Sequence, residues 1–180
     1  ILHAKHIYII GIRSCAPLAS FMAFYFTLMF PNVHLIQTSS SSEIFEQMVR
    51  IGKEDVIIGI SFPRYSMRTL KAMEFANNRS AKVITLTDSV HSPMNLYSSC
   101  NLIADSDMAS IVDSLVAPLS VINALIVALC MKKQNEVAKT LEMLEDIWDE
   151  YQVYENDEIN YIDDSIKMRY GKVGDAELYE

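Results

Sequence analysis

Residues Asp55–Leu70 read DVIIGISFPRYSMRTL, and the pattern of the chain changes twice within them. Val56-Ile57-Ile58-Gly59-Ile60 is a short unbroken apolar run, as expected of a strand covered on both faces. Ser61-Phe62-Pro63-Arg64-Tyr65-Ser66 is a hydroxyl-rich turn. From Met67 the spacing becomes helical, with Leu70, Met73 and Ala76 on one face and Asn77-Asn78 as a stop. A strand that feeds a Ser-rich turn and then a helix start is suited to anions. The first-turn N–H groups have no partner within the helix, and the helix dipole adds partial positive charge there. Hydroxyls beside such donors can bind a phosphate or a sugar, so the stretch reads as a loop that holds a phosphorylated sugar.

The same alternation extends outward from it. Upstream, His6–Ile10 reads as a strand and Gly11-Ile12-Arg13-Ser14-Cys15 as a turn, with Pro17 where a first helical turn tolerates proline. Leu18–Phe30 reads as an apolar helix closed by Pro31-Asn32, and Val33–Gln37 as a second strand. After the hydroxyl run Thr38–Ser42, Ser42 is the expected cap of a helix from Glu43 to Ile51, which Gly52 ends. Downstream, Val83–Leu86 is a fourth strand, followed by Thr87-Asp88-Ser89 and His91-Ser92-Pro93, a short helix from Met94, and a fifth strand at Asn101–Ala104. The longest helix is expected from Ile111 to about Met131. A last one, from Glu136 to about Tyr151, would place Val137, Leu141, Leu144 and Trp148 on one face.

Strands alternating with helices predict an α/β fold, a doubly wound five-stranded parallel sheet in the flavodoxin-like order 2-1-3-4-5 with helices on both faces. Ligands in such sheets sit outside the carboxyl ends of the strands where the strand order reverses, here between the first and third. The loops at that point are Gly11–Cys15 and Ser61–Ser66. The domain is read as 1–151, with an acidic, poorly ordered tail over 152–180.

Composition bounds the alternatives. The chain has 180 residues, 51% of them hydrophobic, enough for one domain with a proper core. A formal charge of −8 excludes a nucleic-acid surface. Cys15, Cys100 and Cys130 are odd in number with no CxxC spacing, which suits a reducing cytosol and argues against a disulfide framework or structural zinc. The apolar runs Phe21–Phe30 and Leu115–Met131 are too short or too interrupted to span a membrane and read as buried or subunit-contact helices. Ile1 begins mid-pattern without a signal peptide, so the chain reads as a cytoplasmic piece of a longer protein.

Candidate ligand-binding residues cluster in the two loops. Ser14 and Cys15 close a turn whose small residues admit a ligand to the backbone. Ser61, Tyr65 and Ser66 offer hydroxyls, Arg13, Arg64 and Arg68 offer positive charge, and Phe62 is counted with the second loop as a ligand-binding residue. Taken singly, such a serine is usually a helix cap and such an arginine solvated; two such loops at one crevice favour a ligand. Gly11-Ile12-Arg13 breaks the GxGxxG pattern and no GxxxxGK[ST] occurs, which argues against dinucleotide and P-loop sites. His3, His6, His34 and His91 lack metal-ligand spacing. His91 alone is placed to be a general base, while Glu43 and Glu46 suit a helix N-terminus. No nucleophile–base–orienter set is present, and no metal or cofactor is implied.

At these loops the sequence resembles the sugar isomerase (SIS) domain, and more narrowly the effector domain of RpiR-type bacterial transcriptional regulators, over roughly residues 1–150. The family's GxGxS-like first loop is Gly11-Ile12-Arg13-Ser14-Cys15, where the family serine falls at Cys15 and Ser14 stands beside it as the substitute hydroxyl. The phosphate loop of the regulator branch, SFPRYS, matches Ser61-Phe62-Pro63-Arg64-Tyr65-Ser66, so Ser61 and Ser66 inherit the phosphate role. Thr87-Asp88-Ser89 with Ser92-Pro93, and Asp113-Ser114-Leu115-Val116-Ala117-Pro118-Leu119, also look like the regulators. The resemblance implies a non-enzymatic sugar-phosphate sensor, homodimeric or higher, that makes no membrane contact. DNA would be read by a helix-turn-helix domain preceding Ile1. The rival readings are an aldose–ketose phosphate isomerase, with His91 or Glu43 as base, and a subunit-contact module with an empty crevice.

Overall fold

The hydrophobic runs fold into five parallel strands ordered β2-β1-β3-β4-β5. They are β1 (Ile7–Gly11), β2 (Val33–Ile36), β3 (Val56–Ile60), β4 (Lys82–Thr87) and β5 (Cys100–Ile103). The helices are α1 (Ala16–Met29), α2 (Ser41–Gln47), α3 (Met67–Asn78), α4 (Val116–Lys132) and α5 (Gln134–Glu150), with short 3-10 turns at Arg13–Cys15 and Pro93–Tyr97. This is a computed structural model, and it describes residues 1–38, 40–106 and 114–154. Two compact units are distinguished, Ile1–Val137 and Ala138–Glu180. The acidic tail read beyond Glu155 lies outside the described residues.

Alternation along each strand splits the core of the first unit into two layers. Ile7, Ile9, Val56, Ile58, Ile60 and Leu86 face α1 and α4, meeting Leu18, Met22, Phe26 and Ile122. Tyr8, Ile10, Ile57 and Val83 face the other way, onto Ile44 and Met48 beside Ala72, Met73 and Ala76 of α3. Both layers are dry, since Ile9, Ile10, Ile57 and Ile58 are fully buried. Each such side chain contributes roughly 1.5–3 kcal/mol by leaving water. The near-continuous apolar strands are the consequence of cover on both faces.

Three expected boundaries move, each for a local reason. α2 starts at Ser41 with Ser40 as its N-cap, so Ser42 is inside the helix and its hydroxyl pairs with that of Ser40 at 2.9 Å. α2 also stops at Gln47 instead of Ile51, and beyond it the Asp55 carboxylate accepts from Gly52 N–H (2.8 Å) and His6 N–H (3.1 Å), holding the turn into β3. α4 begins at Val116, five residues after the expected start at Ile111, with Leu115 as N-cap. Pro118 is then in the first turn, where its missing N–H costs nothing; a helix begun at Ile111 would bury that proline in its interior. The short element expected from Met94 is the 3-10 turn Pro93–Tyr97.

Among the described residues no single helix is long and apolar enough to cross a membrane. None of the three cysteines is in a disulfide. Cys15 is buried, Cys100 is exposed on edge strand β5, and the half-buried Cys130 donates to Met29 Sδ at 3.4 Å. In α5 the half-buried positions Val137, Thr140, Leu144 and Trp148 form one stripe, and Leu141 beside it is 40% exposed. Within the second unit, Trp148 meets Tyr154 edge-on with ring centroids 5.3 Å apart.

Candidate functional site

β1 and β3 are hydrogen-bonded neighbours, with Gly11 in register with Ile60. The chain therefore leaves both strands at the same level, and Ile12–Cys15 and Ser61–Ser66 emerge side by side at the carboxyl end of the sheet. From this point β2 lies on one side and β4 on the other, the reversal of strand order where a crevice forms.

The first loop is set by packing. A Cβ on Gly11 would lie 2.6 Å from the carbonyl oxygen of Cys15 and 3.0 Å from Ala19 Cβ, so only glycine lets the turn fold back so closely. Arg13 takes a left-handed conformation, φ 60°. Arg13 and Ser14 are exposed, whereas the Cys15 side chain is in the α1/α4 core layer. Ser14, not Cys15, thus presents its side chain to solvent, and Pro17 opens α1 in the expected place.

Hydrogen bonds shape the second loop. Ser61 Oγ, on a residue only 3% exposed, accepts from Ser66 N–H at 3.0 Å and closes the loop on itself. Ser66 is the N-cap of α3, its Oγ accepting from Thr69 N–H at 3.3 Å. Each hydroxyl so used still has its proton to donate. Pro63 and Arg64 are exposed at the tip, and Phe62 turns back into the α1/α4 core layer, leaving its backbone to face the loop. Arg64, like Arg13, is left-handed, with φ 63°. That conformation costs a non-glycine residue roughly 1–2 kcal/mol.

Tyr65 offsets this cost by a bond to the loop that follows β4. Its hydroxyl donates to the Asp88 carboxylate at 2.9 Å, with the second oxygen at 3.2 Å. A bond to a charged acceptor is worth about 1.5–3 kcal/mol, enough to hold a strained neighbour in place. Burial first, and then Asp88, push the Tyr65 phenol above its ordinary value, with Ser92 opposing. Tyr65 is accordingly a proton donor at neutral pH. Asp88 also accepts from Thr87 Oγ1 at 3.1 Å, and Thr87 Oγ1 lies 2.9 Å from Ser92 Oγ.

Of the residues expected at the ligand, the fold brings Arg13, Ser14, Ser61, Arg64, Tyr65 and Ser66 to one end of the sheet, with Arg68 exposed in the first turn of α3; Cys15 and Phe62 lie there too but point their side chains into the core. Thr87, Asp88 and Ser92 counted in the sequence reading only toward the family resemblance and not as site residues. Their signal was a polar run directly after a buried strand that neighbours β3. Thr69, in the first turn of α3, was also overlooked. Its Oγ1 is the buried side-chain polar atom without a hydrogen-bond partner among the described residues. Of the two candidate bases, His91 stands in an exposed loop, with its backbone N–H donated to Ser89 Oγ at 3.2 Å. Glu43 accepts a hydrogen bond from Thr38 Oγ1 at the start of α2. No group of three or more metal-ligating side chains occurs among the described residues.

Known proteins agree with this architecture. The SIS domain family model matches residues 1–128. The SIS domain of an RpiR transcription factor from Sphaerobacter thermophilus superimposes with a TM-score of 0.77, at 22% identity, over 81% of each chain. The Vibrio vulnificus NanR protein, solved with ManNAc-6P, gives a TM-score of 0.69 at 18% identity over 81% of this chain and 57% of that one. An uncharacterised HTH-type transcriptional regulator of Caldanaerobacter subterraneus subsp. tengcongensis is 32% identical over 98 residues, 52% of this chain and 35% of its own length. The chain thus spans about a third of that curated relative. Other similar folds include a putative sugar-phosphate isomerase from Listeria monocytogenes, TM-score 0.61 at 16% identity over 73% of this chain and 72% of that one. With the family model covering well over half of its length, the chain belongs to the SIS domain family.

Proposed function

We propose that this chain is the sugar-phosphate-sensing effector domain of a transcriptional regulator of carbohydrate metabolism, and that it is not an enzyme. The observation that carries the reading is the pairing of the Ile12–Cys15 and Ser61–Ser66 loops at the strand-order reversal, with Ser66 capping α3. A phosphate there would meet the free N–H groups and positive dipole end of α3, the donor protons of Ser61 and Ser66, and the charges of Arg13 and Arg64. Ser14, exposed on the facing loop, would take a further oxygen. The likeness to an RpiR transcription factor and to an HTH-type regulator supports a regulator over an isomerase, and the ManNAc-6P bound by NanR supports a phosphosugar as the ligand.

DNA would be read by a helix-turn-helix domain elsewhere in the full-length protein, in the cytoplasm. The domain would act as a homodimer, joined through the apolar surface of α1 and α4, where Phe24 is 63%, Val127 57% and Met131 73% exposed. A ligand favouring one arrangement of that dimer would shift the spacing of the DNA-reading heads.

A thermal-shift series tests the reading, using glucose 6-phosphate, fructose 6-phosphate and ManNAc-6P with the parent sugars and inorganic phosphate as controls. A compound at a hundred times its dissociation constant adds about 2.7 kcal/mol of stability. Stabilisation by one phosphosugar and not by its parent supports the sensor. Interconversion of a phosphosugar by the purified chain would overturn the non-enzymatic role.

A further inference from the structure

The hydroxyls and amides beyond β4 form a lattice that rises to a single carboxylate. Thr85 Oγ1 donates to Asn95 Oδ1 at 2.8 Å, with Asn101 Oδ1 also in reach at 3.1 Å. Asn95 Nδ2 reaches back to the carbonyls of Ser89 (2.9 Å) and Val90 (3.1 Å), tying the loop after β4 to the 3-10 turn. Ser92, 5% exposed, caps that turn by accepting from Met94 N–H at 3.3 Å and lies 2.9 Å from Thr87 Oγ1. Thr85 and Thr87 are themselves fully buried. The side chains of Thr85, Thr87, Ser89, Ser92 and Asn95 thus each have a partner within the loop or on β4 and β5, which makes the loop a rigid support. Asp88 stands at its top, and the Tyr65 hydroxyl is the group it takes from outside the lattice.

From this arrangement we infer that Asp88 is a positioning residue for the phosphate loop. It fixes Tyr65, and through Tyr65 the left-handed Arg64 and the capping Ser66, without touching the ligand itself. An ionised carboxylate beside an anion site would repel the ligand if left bare. Donors from Tyr65 and Thr87 occupy it and turn it into an anchor. The inference rests on the sugar-phosphate reading of the same loop.

The test is isothermal calorimetry with two probes, inorganic phosphate and whichever of glucose 6-phosphate, fructose 6-phosphate or ManNAc-6P stabilises the chain most. Measurements are made well below the melting temperature of each variant, so that only folded protein is titrated. Tyr65→Phe and Asp88→Ala should each weaken both probes by the same factor, about tenfold, the size of one hydrogen bond to a charged group. The double variant should lose about tenfold and not about a hundredfold, because both changes break one link. Asp88→Asn, which keeps an acceptor oxygen, should recover most of the affinity; a role in fold stability alone would move the melting temperature and leave these affinities unchanged. Unchanged affinity in Tyr65→Phe and Asp88→Ala would overturn the inference while leaving the sensor reading intact. So would a loss confined to the sugar phosphate, which would make Asp88 a contact to the sugar. Failure of the wild-type chain to bind any probe would overturn the sensor reading, and this inference with it.

Discussion

Both loops at the candidate site place an arginine in the left-handed region, Arg13 at φ 60° and Arg64 at φ 63°, yet they hold it by different means. Around Arg13 the constraint is steric. Gly11 admits the carbonyl of Cys15, Cys15 itself is packed in the core, and no side chain caps the 3-10 turn or α1. Around Arg64 the constraint is polar, running from Ser61 to Ser66, from Ser66 to Thr69, and from Tyr65 to Asp88. Packing resists displacement steeply but cannot be retuned without moving the core. Hydrogen bonds are individually weaker and exchangeable, which suits the loop that would meet a charged ligand.

The two constraints should fail differently. Gly11→Ala has the largest expected effect, a loss of about 1–3 kcal/mol or more, because a backbone carbonyl cannot move aside as a side-chain tip can. Chemical denaturation measures it, and a loss below about 0.5 kcal/mol would show that the first loop relaxes freely. Ser61→Ala with Ser66→Ala should cost about 1 kcal/mol of stability through the lost cap. It should cost more in phosphosugar affinity, about 1.5–3 kcal/mol for each charge-assisted bond removed. Unchanged affinity in that double variant would put the phosphate outside the second loop.

The smallest effect comes from the opposite end of the same strands and serves as a reference for the other two. His34 on β2 has its Nε2 3.0 Å from His6 Nδ1 and its ring stacked 4.8 Å from Tyr8. Burial, and then His6, lower its pKa from 6.5, with Asp55 opposing. The unfolded chain therefore takes up this proton more readily than the folded one. Stability is full above about pH 6.5 and is lost as the pH falls toward the lowered folded value, below which the loss levels off. Melting curves across this window should lose that slope in His34→Gln. Both loop variants should keep it, since neither alters His6, Tyr8 or Asp55.

How far the sequence discloses these features depends on their range along the chain. The strands and their order were legible because a sheet covered on both faces demands runs such as Val56–Ile60, and because short alternating elements admit few topologies. The second loop was legible for a local reason, as Ser66 caps a helix that starts one residue later. Tyr65 offers a hydroxyl that the sequence displays, but its partner Asp88 is 23 residues away in the loop after β4, a pairing that no local pattern encodes. Nor do Cys15 and Phe62 declare their inward direction, which comes from the α1 and α4 layer closing over them. The left-handed arginines were invisible for a further reason. The residues that normally mark such a conformation are glycine and asparagine, and neither stands at 13 or 64.

The graded burial of the three thiols gives the molecule a built-in selectivity toward electrophiles. Cys15 is enclosed and out of a reagent's reach, and burial holds the Cys130 thiol above its ordinary pKa, which makes its attacking thiolate scarce. Cys100 stands open on the edge strand farthest from β2. A maleimide dye should therefore mark that one edge of the unaltered chain, leaving both loops of the candidate site chemically untouched while it reports on them.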